Sequence, residues 1–173
     1  MKYSEIESLA LYVDDLEEPL ETEAEYCDRF KKMYQNFPDD VVTQWFFDHR
    51  QAIHQNSWLD YEKAKFQLKL FTSSELFNSS LYENPIVAQY SQHFENGNTS
   101  KRMERIASYV NKHGTWPRAP IILFNPDSKI VSPWGMRCDS PYHLLEGHHR
   151  FAVFYALTKK CEINKLHKVW LLS

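Results

Sequence analysis

The fold is decided by the stretch Tyr-His-Leu-Leu-Glu-Gly-His-His-Arg at residues 142–150, which runs on into Phe-Ala-Val-Phe-Tyr-Ala-Leu at residues 151–157. A short apolar run ends in an acid and a glycine, and two histidines and an arginine then open an apolar segment. This pattern predicts a strand, a glycine turn and a helix. Because the first N–H groups of a helix lack internal acceptors and carry the positive end of its dipole, the turn is suited to hold an anion.

Each polar residue of this stretch is a candidate for chemistry. Gly147 lets the backbone approach a ligand, and Arg150 offers a planar fork for two phosphate oxygens, so we assign cofactor binding to Gly147, His148, His149 and Arg150. Glu146 is a candidate Mg²⁺ ligand and, with the two histidines, a candidate catalytic acid or base. In the structural alternative, Arg150 pairs with a carboxylate and a histidine binds a buried carbonyl. A transition-metal site is not predicted, because adjacent histidines on such a turn seldom point at one ion.

Two other groups of residues are weaker candidates. Trp134 and Arg137 lie in a loop with two prolines and a glycine just before the motif, and they are able to cover a base or ribose or simply to pack as a lid. Lys101, Arg102 and Arg105 open a helical segment and would meet phosphates there, although a solvated helix face is the simpler interpretation.

The motif resembles the signature of the ParB/sulfiredoxin-like superfamily, in which a strand, an acid or glycine, Gly and a variable residue precede (His or Arg)-Arg at a helix start. Residues 101–114 are similar to the family's helix ending in "x-x-H-G", and residues 120–124 to its "P-I-x-V" strand. Residues 168–172 resemble its closing strand. The resemblance covers roughly residues 58–173.

This resemblance implies a phosphate-binding site for a nucleotide (ATP, ADP or CTP) with Mg²⁺, and an enzyme that is an Mg-dependent NTPase or a small-molecule kinase. Acid-Gly-His-His-Arg relatives resemble ADP-dependent serine kinases, which favours phosphotransfer. The reactive cysteine of the sulfiredoxins is replaced here by His148, which argues against cysteine-sulfinate reduction. No Gln-Pro-Arg phosphate motif precedes the long helix, which argues against chromosome partitioning.

Two domains are expected within the 173 residues: a helical lobe at 1–55 and a ParB/sulfiredoxin-like α+β domain with a small mixed sheet and packed helices at 56–173. Apolar spacing predicts helices over residues 4–17, from a capping box at residues 22–25, and from residue 39 to Ile53. Alternation then predicts a half-buried strand at residues 63–70 with lysines on its outer face. Residues 86–90 fit either a short strand or a turn of helix.

Charge divides along the same boundary. Residues 1–55 hold 13 acids and 5 bases, whereas residues 56–173 hold 10 acids and 15 bases, giving −8 and +5. The charged surfaces of the two segments are either simply solvated, or the acidic lobe docks on or guards the basic domain. The chain has no apolar run long enough for a membrane span, no secretory signal pattern and three widely spaced cysteines, so we expect a cytoplasmic protein.

Two further function classes stay open at this point. One is a non-catalytic binding protein, such as an antitoxin, an immunity protein or a phage or plasmid regulator, that binds a protein partner through the acidic lobe. The other is nucleic-acid binding through the basic domain, which the modest +5 without an arginine-rich stripe favours less.

Overall fold

The computed structural model divides the chain into two units, Met1–Phe66 and Gln67–Ser173. It describes residues 3–77, 79, 81, 83–132, 135, 138–158 and 166–173. Helices precede a small sheet that has both parallel and antiparallel strand pairs, so the α+β class predicted from the sequence is confirmed. None of the described helices is both long enough and apolar enough to cross a membrane.

Short helices make up most of the first unit. They are α1 (Tyr3–Leu9), α2 (Glu23–Met33), α3 (Asp39–Val42), a π-helical turn (Thr43–Phe47) and α4 (Ala52–Gln55). Helix α2 begins at the predicted capping box, in which the Thr22 side chain accepts the Glu25 N–H and the Glu25 carboxylate accepts the Thr22 N–H at 2.8 Å. The predicted start of this helix is therefore confirmed.

An aromatic cluster forms the core of the first unit. The fully buried Phe30 ring lies 5.1 Å from the rings of both Phe37 and Phe46, and Trp45 stacks on Phe46 at 4.7 Å. Each such pair contributes about 0.5–1.5 kcal/mol beyond the area it buries. Met33, predicted on the same face, is instead 44% exposed.

The first helix is shorter than the sequence predicts. Helix α1 ends at Leu9, and Leu16, expected on its buried face, is 82% exposed. The Asp14 side chain accepts hydrogen bonds from the N–H groups of Leu16 (2.9 Å) and Glu18 (2.8 Å). These bonds stabilise a turn in place of a helix, and the prediction of one helix over residues 4–17 is wrong.

The helix predicted from residue 39 to Ile53 is interrupted. Helix α3 runs directly into the π-helical turn, where Asp48 donates its N–H to the Thr43 carbonyl at 2.9 Å. Regular helix resumes only at Ala52. Ile53 is buried as expected. The apolar pattern therefore located the core correctly but overestimated the length of the helix.

The second unit alternates strands and helices. Its elements are β1 (Phe66–Thr72), α5 (Ser73–Phe77), α6 (Pro85–Glu95), α7 (Lys101–His113), β2 (Ile121–Phe124), β3 (Tyr142–Glu146), α8 (His148–Thr158) and β4 (Leu166–Leu172). The sheet order is β1-β4-β2-β3, with β2 antiparallel to β3 and parallel to β4. Ile121 pairs with Glu146, so the strand that ends at Glu146 lies beside β2.

Helices α6 and α7 both pack on α8, which lies against one face of the sheet. Helix α7 is capped at both ends: the Ser100 side chain accepts the Met103 N–H, and Gly114 follows in the left-handed conformation with φ of 68°. The local capping residues therefore fix both ends of this helix.

Residues 86–90 belong to a full helix, α6, and the short-strand alternative is wrong. The Asn84 side chain accepts the N–H of Ile86 at 3.0 Å, and Pro85 occupies the first turn. An asparagine cap followed by proline is typical of a helix start, and this signal outweighs the short β-branched run that follows.

Strand β1 differs from the half-buried strand predicted at residues 63–70. It begins at Phe66, and its Leu68 and Leu70 are 45% and 57% exposed. The reason is topological: β1 lies at the edge of the sheet, where alternation does not guarantee that either face is covered.

His167 on β4 is fully buried and was not singled out in the sequence. Its Nδ1 lies 3.0 Å from Thr115 Oγ1 and its Nε2 lies 2.9 Å from Ser73 Oγ. The ring also packs edge-on against Phe154, with centroids 4.6 Å apart. With both ring nitrogens hydrogen-bonded inside the protein, this histidine has a structural role.

Two glutamates make stability depend on pH. Hydrogen bonds from the Thr22 N–H and hydroxyl lower the pKa of Glu25 below its usual 4.5, and equivalent bonds from Thr72 lower the pKa of Glu75. Because the unfolded chain then binds protons at a higher pH than the folded chain, the stabilisation is complete above pH 4.5 and is lost as pH falls through the folded values.

We therefore expect Glu25→Gln and Glu75→Gln to reduce the loss of stability between neutral and acid pH. Glutamine still accepts the capping hydrogen bond but does not titrate. Urea unfolding midpoints measured from pH 7 to pH 3 check this, with the exposed Glu83, which lies outside both capping boxes, replaced by glutamine as the control. Variants that keep the full wild-type pH dependence would contradict it.

Candidate phosphate-binding turn

The predicted strand, glycine turn and helix form at the end of the sheet in the second unit. Strand β3 ends at Glu146, and Gly147 joins it directly to α8. The Gly147 carbonyl accepts the N–H of Phe151 at 2.9 Å, which is the first hydrogen bond of the helix. The N–H groups of residues 148–150 therefore lie in the first turn of α8, at the positive end of the helix dipole.

Gly147 is required by the backbone and by packing. Its φ is +108°, in a region that side chains rarely adopt. A Cβ added there would lie 2.8 Å from Pro120 Cβ and 3.3 Å from Arg150 Nε. The glycine thus brings the turn close to Pro120, just before β2. The space that a side chain at position 147 would need is taken by Pro120 and Arg150.

Arg150 forms an internal ion pair. One of its terminal nitrogens, Nη2, contacts Glu146 Oε2, and Nη1 lies 3.3 Å from the Arg118 carbonyl oxygen, to which it donates. Only 7% of the Arg150 side chain and 10% of the Glu146 side chain are exposed. This arrangement matches the structural alternative, in which Arg150 pairs with a carboxylate. Its role as a direct phosphate fork stays a prediction.

The two histidines are partly exposed at the start of α8. The His149 ring stacks on the ring of Tyr90 from α6, with centroids 4.2 Å apart and an angle of 15° between the planes. This stack fixes the orientation of His149 at the helix start. His148 precedes it in the same turn of α8.

A second guanidinium approaches from α7. Arg102 Nη2 lies 4.0 Å from Glu146 Oε1, and 49% of the Arg102 side chain is exposed. Lys101 and Arg105 are exposed on the same helix. Of these three residues, which the sequence offered as weaker candidates, Arg102 is the one the structure places at the motif.

The surroundings of Glu146 do not fit an Mg²⁺ ligand. Its two carboxylate oxygens face the guanidinium groups of Arg150 and Arg102, and a further cation there would be repelled by both. The described residues contain no group of three His, Cys, Asp or Glu side chains arranged to hold a metal ion. His143, also in the motif strand, pairs with Asp139 at 3.0 Å. We derive no step through a metal on Glu146.

Sequence reasoning found the turn but missed the residues that complete it. Tyr90, Pro120 and the Arg118 carbonyl reach the motif from other segments of the chain, and none carries a local signal of that role. Trp134 and Arg137, the proposed cover for a base or ribose, lie outside the described residues.

The fold and this turn define an α+β protein with a histidine-rich helix start at the end of a four-stranded sheet. No family model, curated protein or solved structure matches the chain. The ParB/sulfiredoxin-like resemblance therefore rests on the quoted motifs alone.

Proposed function

We propose that the start of α8 binds the phosphate group of a nucleotide (ATP, ADP or CTP) or of a phosphorylated small molecule. The observation that carries this proposal is the convergence of three features at one place. The first turn of α8, the partly exposed His148 and His149, and the half-exposed Arg102 all lie at the end of β3. Helix amides and a guanidinium are the two groups that proteins use most readily to bind phosphate oxygens.

The residues divide into ligand contacts and supports. Arg102 and the amides of the first α8 turn would contact phosphate oxygens, with His148 and His149 beside them. The buried pair of Glu146 and Arg150 holds the turn from beneath, since it joins the last residue of β3 to the first turn of α8. In this assignment Arg150 is a positioning residue, and Gly147 sets the path of the backbone.

Phosphotransfer to an acceptor hydroxyl, or hydrolysis by water, is the reaction class that we propose for this site. The attacking oxygen must lose a proton as its bond to phosphorus forms and the bond to the leaving oxygen breaks. A partly exposed histidine is suited to accept that proton at neutral pH. Mg²⁺, if used, would be carried by the nucleotide phosphates.

Arg102→Gln tests the site at a half-exposed residue, and the buried Glu146 keeps its closer partner Arg150. A charge-assisted hydrogen bond contributes about 1.5–3 kcal/mol, so phosphate-ligand affinity should fall roughly tenfold to a hundredfold. Lys112→Gln is the matched control, because it removes the same charge from an exposed position at the other end of α7. Calorimetric titration with ATP, ADP, CTP and inorganic phosphate, each with and without Mg²⁺, measures the effect.

Equal loss in both variants would mean that only the general positive charge matters. If none of these ligands binds or raises the melting temperature of the wild-type protein, the phosphate site is wrong. The non-catalytic binding protein then becomes the better hypothesis.

A further inference from the structure

The first unit contains a cavity of about 480 Å³. Its walls come from helix α1, from the residue that follows α2 and from the segment between α4 and β1. It is lined chiefly by three acids and three aromatic residues: Glu5, Asp60, Glu62, Tyr34, Trp58 and Tyr61. A cavity of this volume falls within the range of pockets that bind small molecules.

Internal contacts hold the walls of the cavity in place. The Asn36 side chain donates to the carbonyls of Tyr61 at 2.9 Å and Ala64 at 2.6 Å, which fixes the segment after α4 to the turn after α2. The rings of Tyr34 and Tyr61 meet edge-on with centroids 5.6 Å apart, and both side chains are buried. A site with fixed walls loses little conformational entropy when a ligand enters.

The cavity has a negative potential. None of the described residues that line it is basic. Burial raises the pKa of the Tyr34 hydroxyl, and the charges of the three lining carboxylates raise it further, so all three act on the same wall. Lys63 pairs with Asp60 at 2.8 Å, but the two side chains are 85% and 52% exposed, and such a surface pair neutralises the carboxylate only weakly.

The Tyr61 hydroxyl is buried and makes no hydrogen bond within the described part of the chain. Burial raises the pKa of Tyr61, and Tyr26 and Tyr34 raise it further, which indicates that this hydroxyl lies near that of Tyr34. Buried hydroxyls are nearly always hydrogen-bonded in proteins. A ligand with N–H donors would supply a partner of the kind that this hydroxyl lacks.

The lining fits an extended organic cation better than a metal ion. No three His, Cys, Asp or Glu side chains of the described residues are grouped to hold a metal, so the lining carboxylates do not converge on one point. An aliphatic polyamine carries ammonium groups several bonds apart, and each is able to meet a different carboxylate. Aromatic rings also attract ammonium groups, and the partly exposed Trp58 offers such a ring.

We propose that this cavity binds a small aliphatic polyamine. The lining carboxylates hold its ammonium groups, and the aromatic walls contact the methylene chain between them. Residues 1–66 hold 15 acids and 7 bases, an excess of negative charge that draws such a ligand towards the unit. The site lies wholly within the first unit, so it stands or falls independently of the phosphate-binding turn.

Calorimetric titration of the full chain with spermidine, butylamine and Mg²⁺ tests the ligand class. Spermidine should bind at least about tenfold more tightly than butylamine, because a single ammonium group meets only one carboxylate. Butylamine also reproduces the end of a lysine side chain, so it distinguishes a free polyamine from a lysine of a protein partner. Mg²⁺ at the same concentration as spermidine should not displace it, and added salt should weaken its binding.

Two variants and a matched control locate the site. Glu62→Gln removes one lining charge and Trp58→Leu removes the partly exposed ring, and together they should lower spermidine affinity about threefold to thirtyfold. Glu7→Gln is the control for charge, because Glu7 is exposed on α1 two residues after Glu5 and does not line the cavity. It should bind spermidine like wild type.

Four results would each overturn the proposal. They are a wild type that does not bind spermidine, equal affinity for spermidine and butylamine, displacement of spermidine by an equal concentration of Mg²⁺, and a loss in Glu7→Gln as large as in the combined Glu62→Gln and Trp58→Leu variant. Circular dichroism spectra and melting temperatures that match wild type confirm that each variant is folded.

Discussion

Replacing Arg150 by alanine is expected to lower the free energy of unfolding by about 3–5 kcal/mol, because it removes the closest cation of the buried Glu146 carboxylate. Both side chains are about nine-tenths buried and joined by the ion pair. Arg150 also donates to the Arg118 carbonyl, so the loss of its guanidinium removes this hydrogen bond as well. Urea unfolding at neutral pH measures the change.

A double-mutant cycle separates the pair from its surroundings. Glu146→Leu and Arg150→Met each remove one charge and should each destabilise the fold, whereas the two changes combined remove both charges. Replacing a buried ion pair by apolar groups of similar volume is often neutral or better, so this double variant should recover most of the loss seen with Arg150→Ala. A double variant as unstable as the sum of the single changes would show that the pair itself contributes little.

The same variants decide what Arg150 does for a ligand. The double variant keeps the turn but has no guanidinium at position 150. If it still binds a phosphate ligand with near wild-type affinity, Arg150 acts by positioning the turn and Arg102 is the direct cation. If affinity falls at least tenfold while the melting temperature holds, Arg150 is itself a phosphate contact, as the motif first implied.

Local signals in the sequence predicted much of the architecture. The capping residue Thr22 and the glycine after β3 mark element boundaries through contacts within a few residues, and both boundaries appear where expected. Apolar periodicity also identified the core, since Phe30 and Phe46 are buried. Such signals work because the physical interactions they describe are themselves local.

The predictions were wrong where distant or competing interactions determine the structure of a segment. Asp14 carries a side chain that stabilises a turn, and periodicity alone does not weigh that bond against a helix. The exposure of Leu68 and Leu70 follows from the position of β1 at the sheet edge, which depends on how four separated segments pair. The apolar pattern of the segment concerned predicts neither the turn at Asp14 nor the exposure of the β1 leucines.

The candidate site shows the same division. Glu146, Gly147 and the three residues that follow were singled out because they are consecutive. Tyr90 and Arg102 reach them from α6 and α7, across more than forty positions of the chain, and a single sequence does not reveal such a convergence. The internal partner of Arg150 was foreseen only as a carboxylate, without its number.

Gly147→Ala is expected to destabilise the protein by about 2–6 kcal/mol, from two separate causes. A non-glycine residue at φ of +108° costs of order 1–3 kcal/mol, and overpacking adds about 1–3 kcal/mol. The overpacking arises because the new methyl group would lie 2.8 Å from Pro120 Cβ, a ring atom next to β2 that has little freedom to move.

Gly97→Ala separates the two causes. Gly97 also has a positive φ, +78°, but a Cβ added there meets no atom within 4 Å. Its substitution should therefore show backbone strain alone, and the excess loss in Gly147→Ala measures the contact with Pro120. Urea unfolding gives both values, and phosphate titration of the folded Gly147→Ala protein shows whether a displaced α8 start also weakens binding. Equal losses at the two glycines would mean that the turn relaxes away from Pro120, and that close packing beneath α8 does not hold the site in place.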